Sequence, residues 1–246
     1  MKRVFDFVLS FFGLVILSPI IVIFMYLIWR QDHHSPFYIA KRIGLSGREF
    51  NMVKLRSMVK NADKSGVNST STDDMRITKV GHIIRKFKLD ELMQLWNVFL
   101  GDMSLVGPRP NVKRETDLYT DLEKTLLLVK PGITDISSIV FSDEGDILAG
   151  KDDPDISYHQ LIRPWKSKLG LFYISHRGFI LDIYLVFLTL LAIISKPKAL
   201  KLLTSKLQDL NASDELISIA SRTQELVPSP PPGALDIVTS RDGAVH

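Results

Sequence analysis

Lys88-Leu-Asp-Glu-Leu-Met-Gln-Leu-Trp-Asn-Val-Phe-Leu-Gly-Asp-Met-Ser-Leu-Val-Gly-Pro-Arg-Pro110 is the stretch around which the chain is organised. Leu89, Leu92, Leu95, Trp96 and Phe99 recur at three- and four-residue spacing, so the pattern predicts a helix that buries them on one stripe. Asp90, Gln94 and Asn97 then fall in line on the polar side. Gly101 ends the periodic run and Pro108-Arg109-Pro110 cannot continue a helix, so a rigid turn holding Arg109 in place is expected after it. On spacing alone Asp90-Glu91 reads first as helix-start chemistry, because acids are favoured at the positive end of the macrodipole. Arg85, Lys86 and Lys88 before the pair, with Asp102 and Arg109 after it, supply more charge than a solvated helix needs. The sharper reading is a site for a phosphate and a metal ion.

Working outward, 246 residues are enough for one domain with a real core, or for one domain and a tail. The chain has no cysteine, which removes disulfides and thiolate metal sites and fits a cytoplasm-facing protein. Its net charge of +4 is uneven: residues 41–88 carry twelve Lys/Arg against four Asp/Glu, whereas from Leu202 onward three face six. The basic half implies an anionic partner.

Residues 7–29 form a run of twenty-three without a charge, long enough as a helix to cross a hydrocarbon core of about 30 Å. No small-residue cleavage site follows it, which argues against a secretory signal, and an ordinary single span is the more serious rival. Lys2 and Arg3 flank it on one side and Arg30, Lys41 and Arg42 on the other, a hint that both ends lie in the cytoplasm. Pro19 near its middle removes a backbone donor and should kink the helix, while Ser18 can satisfy the freed carbonyl.

Apolar alternation on either side of residues 44–47 predicts two strands and a turn. Lys54 and Arg56 would then point the same way from the second strand. Most cations of this region suit a solvated or headgroup-facing surface; Arg56 and Arg85 are the two ranked as substrate contacts. Residues 60–74 read as a mobile loop and 111–130 as a helix with Leu118, Leu122, Leu126 and Val129 on one side. Residues 179–195 are apolar except for Asp182 and are expected to lie in or on a membrane interface, a core helix being the rival. Leu203, Leu207, Leu210 and Leu216 allow a modest amphipathic helix, and Pro228-Ser-Pro-Pro-Pro-Gly233 marks a linker or disordered end.

Asp90-Glu91-Leu92 with Asn97, followed by Gly101-Asp-Met-Ser-Leu-Val-Gly-Pro-Arg-Pro110, resembles the signature of the monotopic phosphoglycosyl transferases, a family of bacterial sugar transferases. Members move a sugar 1-phosphate from a UDP-sugar to a polyprenyl phosphate. The likeness covers about three quarters of the chain and includes Phe37 to Arg42, Gly44, Lys54-Leu-Arg-Ser-Met58 and Lys130-Pro-Gly-Ile-Thr134. It implies an α/β fold, mainly helical with a small sheet, anchored at the bacterial inner membrane with the catalytic part on the cytoplasmic face. The Ser18-Pro19 pair then breaks a re-entrant helix over residues 1–30, a catalytic domain with interfacial amphipathic helices spans 31–200, and 201–246 is a partly disordered tail.

By the same resemblance Asp90 is the nucleophile that becomes phosphoglycosylated, and Glu91 helps it hold Mg²⁺. Arg56, Arg85, Asn97, Asp102, Pro108, Arg109 and Pro110 are the expected substrate-binding residues. The implied partners are the UDP-sugar donor, the polyprenyl phosphate acceptor and membrane lipids, with self-association left open. A carboxylate nucleophile divides the transfer into two steps, and a divalent cation offsets repulsion between two anionic substrates. After Thr134 the likeness fails: typical members continue Gly-Trp-Ala-Gln and later Asn-Gly-Arg, but here the text is Asp135-Ile-Ser-Ser-Ile-Val-Phe-Ser-Asp-Glu-Gly145. Arg163 is a candidate for the arginine that holds the nucleotide-sugar, against a surface cation packed on Trp165. That departure motivates the alternative of an inactive, membrane-anchored scaffold. The basic run of 41–88 raises a nucleic-acid-binding reading, but it has few interleaved aromatics and no matching motif, so no nucleic acid is expected.

Overall fold

A computed structural model describes residues 1–62 and 70–240, so the centre of the loop expected over 60–74 lies outside the described residues. The uncharged run forms the middle of α1 (Lys2–Asp32), which continues through Pro19 as one helix. Proline at 19 deprives the Val15 carbonyl of its usual donor, and the Ser18 hydroxyl donates to that carbonyl over 2.7 Å. The expected kink is therefore not a break in the helix.

Both ends of α1 are tied to one body. Lys2 Nζ donates to Asp182 over 2.5 Å and to the Val106 carbonyl over 3.0 Å, while Asp6 accepts from the Ser104 hydroxyl and the Leu105 amide. At the other end Arg56 holds both oxygens of Asp32 at 2.6 and 2.7 Å. Between these anchors Phe7 stacks on Phe99, and Ile28 is buried with Leu55 and Ile84.

The strands β1 (Phe37–Ile43) and β2 (Glu49–Leu55) pair antiparallel around the expected turn. A short helix, α2 (Lys79–Lys86), is capped by Thr78. Beyond it the periodic stretch folds in two parts: a 3-10 turn over Leu89–Met93 and then α3 (Gln94–Leu100), closed by Gly101 at φ 97°. The sides of the expected helix are corrected. Gln94 and Asn97 are buried, whereas Trp96 is 43% exposed. The polar side of α3 faces β2, and Trp96 stacks with Phe99 beside α1 on an outer apolar surface.

The next element, β3 (Ser104–Val106), pairs in parallel with β4 (Gly132–Thr134). Gly107 and Gly132 cross so closely that a Cβ on Gly132 would sit 2.1 Å from the Gly107 nitrogen. Hydrogen bonds from Gly107 N to Thr134 O (2.9 Å) and from Gly132 N to Pro108 O (3.0 Å) fasten the segment that carries Arg109.

The continuous helix expected over 111–130 is also corrected, into α4 (Lys113–Asp117), α5 (Asp121–Lys124) and a 3-10 turn over Thr125–Leu128. Thr120 and Glu123 form a capping box that starts a new helix, and a leucine count cannot see that signal. The short helices α7 (Glu144–Leu148) and α8 (Pro154–Leu161) follow α6 (Ile136–Val140), and the main core lies among α6, α9 (Arg163–His176), α10 (Phe179–Asp209) and α11 (Asp214–Ser221). Leu169, Leu185, Leu188, Leu203 and Leu207 are all at most 1% exposed, each contributing roughly 1.5–3 kcal/mol of burial. The apolar stretch expected to end at 195 is only the first arm of α10: Ser195 leaves the helical region at φ −152°, ψ 91°, just before Pro197, and a second arm follows.

In the tail expected over 201–246, the described residues 201–240 are tied to the rest of the chain at several points. Leu216 and Ala220 of α11 enter the core. The proline-rich segment is stitched down by Ser229 N to Gln160 O, Thr120 Oγ1 to Pro232 O and Gln160 Nε2 to Val238 O, and Val238 is fully buried. The described residues are thus mainly helical with two small two-stranded sheets. Among the described residues two helices, α1 and α10, are long and apolar enough to cross a membrane by length and composition.

Candidate active site

Three segments bring charge together: the end of β2, the 3-10 turn and the Pro108-Arg109-Pro110 turn. Lys88 enters the 3-10 turn in the left-handed region at φ 55°, so the chain reverses just before the acids. Asn97 sets the distance between the turn and β2, accepting from Val53 N at 2.9 Å and donating to Asn51 O at 2.7 Å. Its carboxamide is thereby spent on the backbone, with Asp102 Oδ2 a further 3.4 Å contact. Asn97 is a positioning residue here, and Asp102 is exposed at the edge.

Asp90 and Glu91 face different cations. Asp90 Oδ2 lies 3.5 Å from Lys54 Nζ, and Glu91 Oε1 accepts from Arg109 Nη2 at 2.7 Å. The four side chains keep between 13% and 32% of their surface accessible, so the cluster is recessed and still open to a ligand. Burial pushes the Glu91 carboxyl up, but Arg109, Lys54 and Lys88 outweigh it and hold the group at about 2. Glu91 acts on Arg109 in return and raises it further above its ordinary value. Burial draws Lys54 below its usual range, and Asp90 only partly restores it. Pro108 and Pro110 are buried on either side of Arg109, which fixes its backbone.

The other expected contacts are placed elsewhere. Arg56 is 8% exposed, with its guanidinium taken by Asp32 and the Ser35 carbonyl, so the structure does not bring it to the acid pair. Lys54 and Arg56 do not act as neighbours: one reaches Asp90, the other the end of α1. Arg85 sits half-buried in the last turn of α2. Arg163 is not a surface cation: it is 3% exposed and paired with Glu123, away from the acid pair, while Lys168 is the cation over Trp165, at 4.3 Å.

Lys54 is the residue that sequence reasoning passed over. Its signal was present in the quoted match around it, but Arg56, expected to point the same way from the strand, was ranked ahead of it. Glu144, in α7 (Glu144–Leu148), was also missed: burial pushes it up, yet the ion-paired Lys166, with Arg109 and Lys88, pulls it below the usual carboxylate range. It belongs to the same electrostatic neighbourhood.

Two adjacent carboxylates are compatible with a hard divalent cation, and no group of three or more acidic or histidine ligands exists among the described residues. A fully caged ion does not fit, but Mg²⁺ that keeps waters and takes substrate phosphate oxygens does, with Glu91 giving only Oε1 to Arg109. Chemically the cluster can hold a phosphate against Lys54 and Arg109 and present an ionised carboxylate to it.

A profile of the family described as bacterial sugar transferase matches residues 1–196. The exopolysaccharide production protein ExoY of Sinorhizobium fredii is 32% identical over 207 residues, 78% of this chain and 84% of that protein. A UDP-galactose-lipid carrier transferase of Erwinia amylovora is 40% identical over 149 residues, covering 54% of this chain and 31% of that one. The undecaprenyl-phosphate galactose phosphotransferase of Salmonella typhimurium is 36% identical over 183 residues, 68% and 36% of the two chains. The chain thus matches about a third of the length of the last two.

Proposed function

Because this chain belongs to the bacterial sugar transferase family, matched over residues 1–196, we propose that it moves a sugar 1-phosphate from a UDP-sugar to a polyprenyl phosphate and releases UMP. The observation that carries this reading is the Asp90-Glu91 pair held open between Lys54 and Arg109.

In the first step an Asp90 carboxylate oxygen attacks the sugar-bearing phosphorus, the bond to the bridging oxygen breaks, and UMP leaves with that electron pair. The product is an aspartyl phosphosugar. A phosphate oxygen of the polyprenyl carrier then attacks the same phosphorus and expels the Asp90 carboxylate, leaving a sugar on a lipid diphosphate. Lys54 and Arg109 bind and orient the non-bridging oxygens, and the buried prolines keep Arg109 from following the substrate out. Mg²⁺ held by Asp90 and Glu91 would supply neutralisation of the phosphate charge.

We also read the protein as monotopic, with residues 1–30 re-entrant, residues 31–200 forming a cytoplasm-facing catalytic region, and the inner membrane as its location. Supporting this, both ends of α1 are bonded to the same body, so the helix does not carry its far end away from the catalytic region. Val15, Ile16 and Ile23 of α1 and Ile180, Phe187 and Ile194 of α10 are each more than half exposed, an apolar surface suited to one leaflet.

The test is to incubate detergent-purified protein with Mg²⁺ and a panel of UDP-sugars, without acceptor, and to measure intact mass. A sugar-phosphate adduct mapping to Asp90 is expected and names the donor. No adduct with any donor, together with no UMP release when polyprenyl phosphate is added, would leave the inactive scaffold as the better reading.

A further inference from the structure

A second recess lies away from Asp90 and shares no lining residue with it. The second arm of α10, the end of α11 and Asp143 enclose a groove of about 790 Å³, within the size range of small-molecule sites. Lys196, Lys201 and Arg222 line it against the single carboxylate of Asp143. That carboxylate gathers two of the cations, with Lys196 Nζ 2.6 Å from Oδ1 and Arg222 Nη2 3.4 Å from Oδ2. Lys201 is exposed and makes no ion pair among the described residues. Thr204 and Ser205 add hydroxyl groups to the wall.

Two further features set Arg222 apart. Its Nη1 is buried with no hydrogen-bond partner among the described residues, a costly condition for a charged donor. It also sits at φ 54°, ψ 30° at the end of α11, a left-handed position that glycine fills at less cost. The lining sets three cations against one carboxylate, a surplus of positive charge that an acceptor-rich anion such as a phosphate would offset. The groove begins where the apolar arm of α10 stops, two residues after the highly exposed Ile194.

We propose that this groove is a second anion site, separate from the Asp90 centre, which takes a phosphate group carried by an anionic lipid headgroup or by a soluble diphosphate. The full chain in neutral detergent is titrated calorimetrically with dihexanoyl phosphatidylglycerol below its micelle concentration and, separately, with inorganic diphosphate. Each titration is repeated with Lys201→Glu, with Arg222→Gln, and with Arg109→Gln as the control for the catalytic site. Lys201 is exposed and makes no ion pair among the described residues, so its reversal reads binding even if Arg222→Gln perturbs the fold, and thermal unfolding monitors both. At least about tenfold weaker binding of one probe in Lys201→Glu, with that probe unaffected by Arg109→Gln, supports the site. The probe that responds identifies the source of the phosphate. Binding that is absent in the parent chain, unchanged by Lys201→Glu, or lost only with Arg109→Gln overturns the proposal.

Discussion

Two glutamate–arginine pairs in this molecule have the same 2.7 Å contact and opposite uses. Glu123 and Arg163 are 0% and 3% exposed, and their capacity is filled from within. Thr120 N, Ser167 Oγ and two Arg163 nitrogens serve the carboxylate, and Arg163 also donates to Leu118 O. Glu91 and Arg109 keep 19% and 32% of their side-chain surface, and Arg109 occupies one oxygen of Glu91. A closed pair is a strut whose loss strands a buried charge, whereas an open pair keeps donors and acceptors for a ligand.

The strongest way to break this contrast is Asp90→Asn. Turnover measured as UMP release is expected to fall at least about 10³-fold with an unchanged melting curve. Near-normal turnover would remove the open cluster from the chemistry. Next comes Arg163→Ala, expected to cost about 3–5 kcal/mol in denaturant unfolding, while the folded fraction keeps its activity. Arg109→Lys should lower kcat/KM about 10²-fold and shift stability by less than about 1 kcal/mol, since lysine cannot reproduce the planar fork. If stability falls as far as in Arg163→Ala, the two pairs are the same kind of device.

Acid sharpens the comparison further. Glu91 is held at about 2 against an ordinary 4.5, so its ionised form contributes stability that is fully present above 4.5 and lost as pH falls through 2. The stability gap between the parent chain and Glu91→Gln should be flat from pH 7 to about 5 and close below it. A gap that stays constant down to pH 2 would mean the charge of Glu91 is not what Arg109 holds. The smallest effect belongs to the exposed Lys113–Asp117 pair, whose side chains are 65% and 57% accessible. Lys113→Ala should change unfolding free energy by no more than about 0.5 kcal/mol.

Much of the site was legible in the linear text because its parts are close in sequence: the acid pair, the glycine that ends α3 and the Pro-Arg-Pro turn all fall within 88–110. The hairpin was legible for the same reason, since its turn residues lie between two alternating runs. Partner choice was not legible. Arg56 and Lys54 look equivalent two residues apart, yet one ends on Asp32 and the other beside Asp90. Asn97 looked like a ligand-facing polar residue because periodicity cannot tell a polar side turned to solvent from one turned to a strand with backbone groups to satisfy. The proline-rich end looked loose because its anchors, Gln160 and Thr120, are far away in sequence.

By itself the sequence determined the apolar lengths of the two long helices, the adjacency of the two acids and the rigidity around Arg109, because charge spacing and proline geometry act over a few residues. Only the tertiary structure decided which cation meets which acid, which face of α3 is inside, and that α1 is fastened at both ends to one body. Those outcomes depend on desolvation and on hydrogen-bond partners contributed by segments tens of residues apart, such as Lys54 to Asp90 and Lys2 to Asp182.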